Sequence, residues 1–191
     1  MLPDADGRDE ARQKTLVLGF GNVNRQDDGA AWHILSQLAR RLKSAPPAAV
    51  DSSSHVDLVD YDLEVCTEKL DLLFVLQLTP ELCELISRYG RVCFVDTHTG
   101  RIPEEIHIET LEPELQRSPF THHLVPNTCL AMTQSLFHVQ PEGLLVSVRG
   151  YEFDFLTGLS ARTAGLIDKA ASIVWDWAGS ESKVENDQIK H

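Results

Sequence analysis

The sequence predicts an α/β fold, a three-layer α/β/α sandwich whose central sheet is mostly parallel and has about five strands. Two observations lead to this prediction. Short apolar segments rich in β-forming residues alternate along the chain with longer segments whose apolar residues recur at helical spacing. Several of the short segments are apolar throughout, which is typical of parallel strands buried on both faces.

The first predicted strand is Thr15–Gly19, TLVLG, which ends in a glycine-containing turn. Further strands are expected at Val56–Tyr61, Leu72–Leu76, Arg91–Asp96, Glu105–Thr110 and Leu144–Arg149. The residues expected in the core of these strands are Leu16, Val17, Leu18, Val92, Phe94, Val95, Leu145, Val146 and Val148.

Four helices are predicted between and after these strands. The segment Gly29–Leu42 carries apolar residues at helical spacing and ends in basic residues that suit the helix dipole. A second helix is expected to start at Thr79-Pro80-Glu81, with threonine as the cap and proline in the first turn, and to end near Arg88. The other two are His123–Phe137, entered through Pro126, and Ser160–Trp177, capped by Ser160.

The length of 191 residues corresponds to one ordinary domain, so we predict that residues 1–191 form a single unit. Hydrophobic residues make up 42% and charged residues 24%, the profile of a soluble globular protein. The core is expected at about residues 14–178. Residues 1–13 and 179–191 are polar and have little to bury, which predicts tails.

The charge balance limits the kinds of partner that the protein can bind. Lysine plus arginine number 17 and aspartate plus glutamate 29, giving a net charge of −12. Such a surface repels nucleic acid and anionic membranes and favours a basic protein segment or a metal-bearing site. Neither a signal peptide nor the ~20 apolar residues of a membrane helix is evident, so a cytoplasmic, reduced protein is expected, with Cys83 and Cys93 as buried core thiols.

The loop after the first strand reads GFGNVNRQDDG and carries two adjacent acids. It lacks the third glycine of a dinucleotide-binding GxGxxG loop and the GK[ST] ending of a P-loop. One of Asp27 and Asp28 could cap the following helix. The second would then be free to point into the cleft at the carboxyl ends of the strands, where active residues gather in this fold class and where a carboxylate could bind a metal.

The segment LVLGFGNVNRQDDGA resembles the amino-terminal signature of the hydrogenase maturation endopeptidases. The match covers Leu18, Gly19, Gly21, Asn22, Asp27, Asp28 and Gly29. The resemblance implies that Asp28 is a metal ligand and catalytic residue, with Asn22 and Asp27 around it. THHLVP resembles the second signature of the family and implies His122 as the other metal ligand and catalytic residue, with His123 orienting substrate or ligand.

The middle of the chain resembles the branch that serves bidirectional, NAD(P)-linked hydrogenases. QLTPEL places Gln77 at or next to the position of a family carboxylate ligand, and an amide is a weak nickel ligand. Asp96 in VCFVDTHTG aligns with a common family aspartate and is expected to shape the site. Asp60 and Asp62 are reserve carboxylates near predicted strand ends.

The resemblance implies an endopeptidase that removes the C-terminal extension of a nickel-loaded hydrogenase large subunit. The precursor would be the partner, and nickel would be recognised in that substrate rather than held permanently. Cleavage could use the metal as a Lewis acid or a carboxylate as general base. Two alternatives stay open: a docking chaperone for the same subunit that no longer cuts, and a different hydrolase on a similar sheet.

Overall fold

The computed structural model describes residues 14–44, 63–115 and 124–180. Its strands are β1 (Thr15–Phe20), β2 (Glu64–Val65), β3 (Leu70–Val75), β4 (Arg91–His98), β5 (Ile106–Leu111) and β6 (Glu142–Arg149). Its α-helices are α1 (Ala30–Ser44), α2 (Leu82–Ile86), α3 (Pro126–Phe137) and α4 (Ala161–Gly179). The strand order is β2-β3-β1-β4-β6-β5.

The sheet is mixed, with a parallel centre and antiparallel edges. β3, β1, β4 and β6 run parallel to their neighbours, whereas β2 pairs antiparallel with β3 and β5 antiparallel with β6. The predicted α/β/α sandwich is therefore confirmed, and the described residues form five of the predicted strands and one that was not predicted. That strand, β2, has two residues, which is too short to leave a periodic pattern in the sequence.

Two apolar clusters cover the two faces of the sheet, because successive side chains of a strand point to opposite faces. Val17 belongs to the cluster with residues of α1 and α4, whereas Leu16 and Leu18 belong to the cluster with residues of α2 and α3. Eight of the nine predicted core residues are buried, and Leu145 is partly buried against the second cluster. Cys83 and Cys93 are buried free thiols, as predicted.

Two of the predicted helix starts are found. The Ser160 hydroxyl accepts a hydrogen bond from the Thr163 N–H and caps α4, and Pro126 occupies the first turn of α3. α2 is shorter than the sequence pattern predicts, since Thr79 and Pro80 lie in a turn before it. The predicted strand Val56–Tyr61 and residues 1–13 and 181–191 lie outside the described residues.

The four parallel strands end at one edge of the sheet, here called the carboxyl edge. The loops that follow β1, β3, β4 and β6 therefore meet there. None of the described helices is long and apolar enough to cross a membrane.

Candidate functional site

The loop after β1 folds back on itself and carries Asp28 to the carboxyl edge. Gly21 has φ +141, and a Cβ there would lie 2.1 Å from the Asp28 carbonyl oxygen, so only glycine allows this close approach. The Asn22 N–H donates to the Asp28 carboxylate at 2.9 Å. Asp28 lies in a 3₁₀ turn, Gln26–Gly29, that leads directly into α1. The amino end of that helix favours a negative charge at this position.

The neighbouring Asp27 has a different environment, since its side chain is 0% exposed. Its carboxylate accepts five hydrogen bonds of 2.7–2.9 Å, from the N–H groups of Tyr151, Glu152 and Ser160 and from the hydroxyls of Ser160 and Thr163. Burial raises the pKa of Asp27, but the hydrogen bonds outweigh burial and the net pKa is lowered. Asp27 is therefore held as a buried carboxylate.

The sequence left open which aspartate of the pair would cap a helix and which would face the cleft. Asp27 does not cap the helix that follows it, because the donors to its carboxylate all lie between Tyr151 and Thr163. Its carboxylate binds the Ser160 and Thr163 hydroxyls at the start of α4 instead. Asp28 is the member of the pair that remains partly exposed at the carboxyl edge.

Asp96 lies near the end of β4, next to the loop that carries Asp28. The Thr97 hydroxyl donates to the Asp27 carbonyl oxygen at 2.9 Å and joins the two segments. Burial, with the charge of Asp28, raises the pKa of Asp96 to about 7, against the opposing effect of the Thr97 N–H. The carboxyl groups of the loop after β1 and of the end of β4 therefore lie close enough to act on each other.

Gln77 is exposed two residues beyond the end of β3. Because Val75 pairs with Phe20 at the end of β1, Gln77 lies at the same edge of the sheet as the Asp28 loop. His122 and His123 lie outside the described residues, as do Asp60 and Asp62. The structure thus brings together Asn22, Asp28 and Asp96.

Oxygen ligands are present at this edge, but the described part of the site is not a complete metal centre. Within residues 14–44, 63–115 and 124–180, no three side chains of His, Cys, Asp or Glu form a group that could hold a metal ion. Asp28 and Asp96 can supply carboxylate oxygens, which suit divalent cations.

The sequence did not single out the segment between β6 and α4 as part of the site. Its Phe155 is 82% exposed and its Leu156 59% exposed. The Gln26 N–H donates to the Leu156 carbonyl oxygen at 2.8 Å, which joins this segment to the Asp27–Asp28 loop. The available signal was the resemblance of VRGYEFDFLTGLS, Val148–Ser160, to a segment of the hydrogenase maturation endopeptidases, which did not indicate a role for Phe155 or Leu156.

Comparison with known proteins gives matches in structure. No family model matches the chain, and no curated protein matches it in sequence. Solved structures do match, including the hydrogenase-maturating endopeptidase HybD from E. coli, with a TM-score of 0.58 and 17% identity over 86% of this chain and 91% of that one.

Two archaeal structures extend this similarity. The [NiFe] hydrogenase maturation protease HycI from Thermococcus kodakarensis has a TM-score of 0.58 and 13% identity, covering 91% of this chain and 98% of its own. A hydrogenase 2 maturation peptidase from a Thaumarchaeota archaeon has a TM-score of 0.54 and 19% identity, covering 87% and 98%. The chain therefore has the fold that these peptidases share.

Proposed function

We propose that this protein is an endopeptidase that removes the C-terminal extension of a nickel-loaded hydrogenase large subunit. The proposal rests on one observation, the different environments of two adjacent aspartates. Asp27 is buried in five hydrogen bonds, whereas Asp28 is left at the carboxyl edge beside Asp96. The fold shared with named hydrogenase maturation peptidases supports it.

In this proposal Asp28 and His122 bind the nickel that the precursor carries, and Gln77 adds a weaker amide contact. A carboxylate and an imidazole are suitable ligands for a metal that is met only while the substrate is bound. Asn22 holds the Asp28 carboxylate through its N–H. Asp96 adds a second carboxyl group beside Asp28, Asp27 fixes the surrounding loops, and His123 orients ligand or substrate.

The reaction would be hydrolysis of one peptide bond. The oxygen of a water molecule adds to the carbonyl carbon, the C–N bond breaks, and the departing amine takes a proton. The carbonyl could be polarised by the substrate nickel, or a carboxylate of the site could take the proton of the attacking water. Both routes use the carboxylates gathered around Asp28.

The partner in this proposal is a large-subunit precursor met in the cytoplasm. The net charge of −12 favours a basic segment of that subunit over nucleic acid. The QLTPEL and THHLVP segments support a precursor of the bidirectional, NAD(P)-linked type.

The test compares cleavage of nickel-loaded and nickel-free precursor by the wild type and by the Asp28→Asn, His122→Ala and His123→Ala variants. We expect cleavage of the nickel-loaded form only. Loss of the charge at Asp28 or of the imidazole at His122 should reduce the rate by roughly 100-fold or more, as is usual for a lost catalytic electrostatic contact. His123→Ala should keep partial activity.

Asp28→Asn retains an acceptor for the Asn22 N–H, and His122→Ala should change the free energy of unfolding by at most roughly 0.5 kcal/mol, so both variants should fold. Equal cleavage of both precursor forms would exclude nickel recognition. Binding of the precursor without any cleavage would instead identify a docking chaperone. Normal activity of His122→Ala would remove that residue from the site.

A further inference from the structure

We infer that Phe155 and Leu156, here called the 155–156 ridge, dock the protein substrate beside the carboxylate site. This inference rests on the proposed function and names the surface and the chemistry by which the precursor is recognised. The ridge exposes an aromatic ring and an adjacent leucine, at 82% and 59% exposure, and adjacent exposed apolar side chains mark interaction sites more often than scattered ones do.

The ridge is held directly against the loop that carries Asp28. The Arg25 guanidinium lies 5.1 Å from the centroid of the Phe155 ring and donates to the Phe153 carbonyl oxygen at 3.4 Å. The Gln26 N–H donates to the Leu156 carbonyl oxygen at 2.8 Å. Two consecutive residues just before the Asp27–Asp28 pair therefore fix the backbone and the ring of the ridge.

The Asp27 carboxylate holds both sides of the segment from which the ridge projects. It accepts from the Tyr151 and Glu152 N–H groups before the ridge and from the Ser160 N–H after it. A surface fixed in advance loses little conformational entropy when a partner binds. The ridge is thus exposed without being free to collapse onto the protein.

The size of the ridge favours a substrate contact over a second copy of this chain. Given the surface of a phenylalanine and a leucine side chain, the two expose about 300 Å². A stable interface needs about 800 Å² from each partner. An aromatic anchor of this area suits a transient enzyme–substrate contact, in which a few side chains carry most of the binding energy.

The charges around the ridge determine the chemistry of its occupant. The exposed acids Glu152 and Asp154 precede it, and the Gln26 side-chain amide binds the Glu152 carboxylate at 3.2 Å. Asp28 adds negative charge at the same edge, against one cation in contact with the ridge, Arg25. The complementary occupant is a segment of the precursor with an apolar residue for the ridge and lysine or arginine beside it.

The experiment uses the double variant Phe155→Ser/Leu156→Ser and the control Leu136→Ser. Leu136 is 62% exposed on the last turn of α3, which precedes the amino end of β6 at the opposite edge of the sheet. For nickel-loaded precursor, kcat and KM are measured by cleavage and Kd by an independent binding titration. The double variant should raise KM and Kd by about 10-fold or more, with kcat within about twofold of wild type.

The control should leave all three constants unchanged, and Phe155→Leu, which keeps an apolar side chain, should retain most of the affinity. Unchanged KM and Kd in the double variant, with normal wild-type cleavage, would overturn the docking role and leave the peptidase proposal standing. If the wild type binds but does not cut, and the double variant weakens binding, docking stands and hydrolysis fails. A wild type that neither binds nor cuts would remove both.

Discussion

The two edges of the sheet differ in whether their charged side chains form ion pairs. At the amino edge, where the parallel strands begin, Asp71 is buried and its carboxylate has both an ion-pair partner and hydrogen-bond donors. Its carboxylate lies 2.7 Å from the Lys14 ammonium and accepts from the Tyr89 hydroxyl at 2.6 Å and the Thr67 N–H at 2.9 Å. At the same edge the Arg91 guanidinium pairs with Glu142 at 3.0 Å and lies 4.0 Å from the Trp177 ring centroid.

At the carboxyl edge two carboxylates are gathered without such partners. Among the described residues, no lysine, arginine or histidine forms an ion pair with Asp28 or Asp96. Instead the charge of Asp28 adds to burial in raising the pKa of Asp96. Asp27 accepts five hydrogen bonds there, and its donors are all neutral groups.

The charged residues that stabilise the sheet therefore lie mainly at one edge, and the candidate functional residues lie at the other. Paired charges at the amino edge hold the ends of strands and of α4 in place. Uncompensated carboxylates cost stability and persist where a site uses them, so perturbed ionisation marks candidate functional positions. Asp27 is the instructive exception, because it is a structural residue placed among functional candidates.

The largest expected effect on stability is that of Asp27→Ala. The variant leaves the buried N–H groups of Tyr151 and Ser160 without their acceptor, so the free energy of unfolding should fall by about 3–5 kcal/mol. Denaturant unfolding measures this change, and amide hydrogen exchange should show faster exchange between Gly150 and Ser160. The matched control is Asp154→Ala, an exposed acid of the same segment, which should change stability by less than about 0.5 kcal/mol. Equal effects of the two variants would contradict the anchoring role.

At the amino edge, Asp71→Ala should lower the free energy of unfolding by about 2–3 kcal/mol, because Lys14 and Tyr89 lose their common partner. A double-mutant cycle with Tyr89→Phe isolates the hydroxyl–carboxylate contact and should give a coupling of about 1–2 kcal/mol. Folded Asp71→Ala should retain the wild-type kcat. A large fall in kcat at a temperature where the variant is folded would break the proposed separation between the two edges.

Asp96→Asn should have an effect of opposite sign, and only at high pH. Its pKa is about 7 in the folded protein against an ordinary 3.8, so the folded state holds the proton more tightly. The stability that protonation of this group provides is present below about pH 4 and is lost as pH rises to about 7. The variant should therefore be more stable than wild type at pH 8 and nearly equal to it at pH 4, as measured by denaturant unfolding at both values. A destabilised variant at pH 8 would show that Asp96 has an unrecognised stabilising partner.

The sequence alone determined the layers of the fold. Uniformly apolar segments such as Val92–Val95 are typical of strands buried on both faces, and the helical spacing of Leu35 and Leu38 indicates a covering helix. Ser160 as a helix cap was equally readable, because the hydroxyl of a cap acts on N–H groups only a few residues away. These features depend on local patterns.

The tertiary structure decided which of the two aspartates is buried and which faces the site. Asp27 and Asp28 are chemically identical neighbours, and their difference arises from donors at Tyr151, Ser160 and Thr163, more than a hundred residues further along the chain. The exposure of Phe155 was equally unreadable, because an apolar residue in a loop is buried or exposed according to what packs over it. Local sequence determines the periodicity of an element and its caps. The burial and the hydrogen-bond partners of a polar or loop side chain depend instead on which distant groups the fold brings to it.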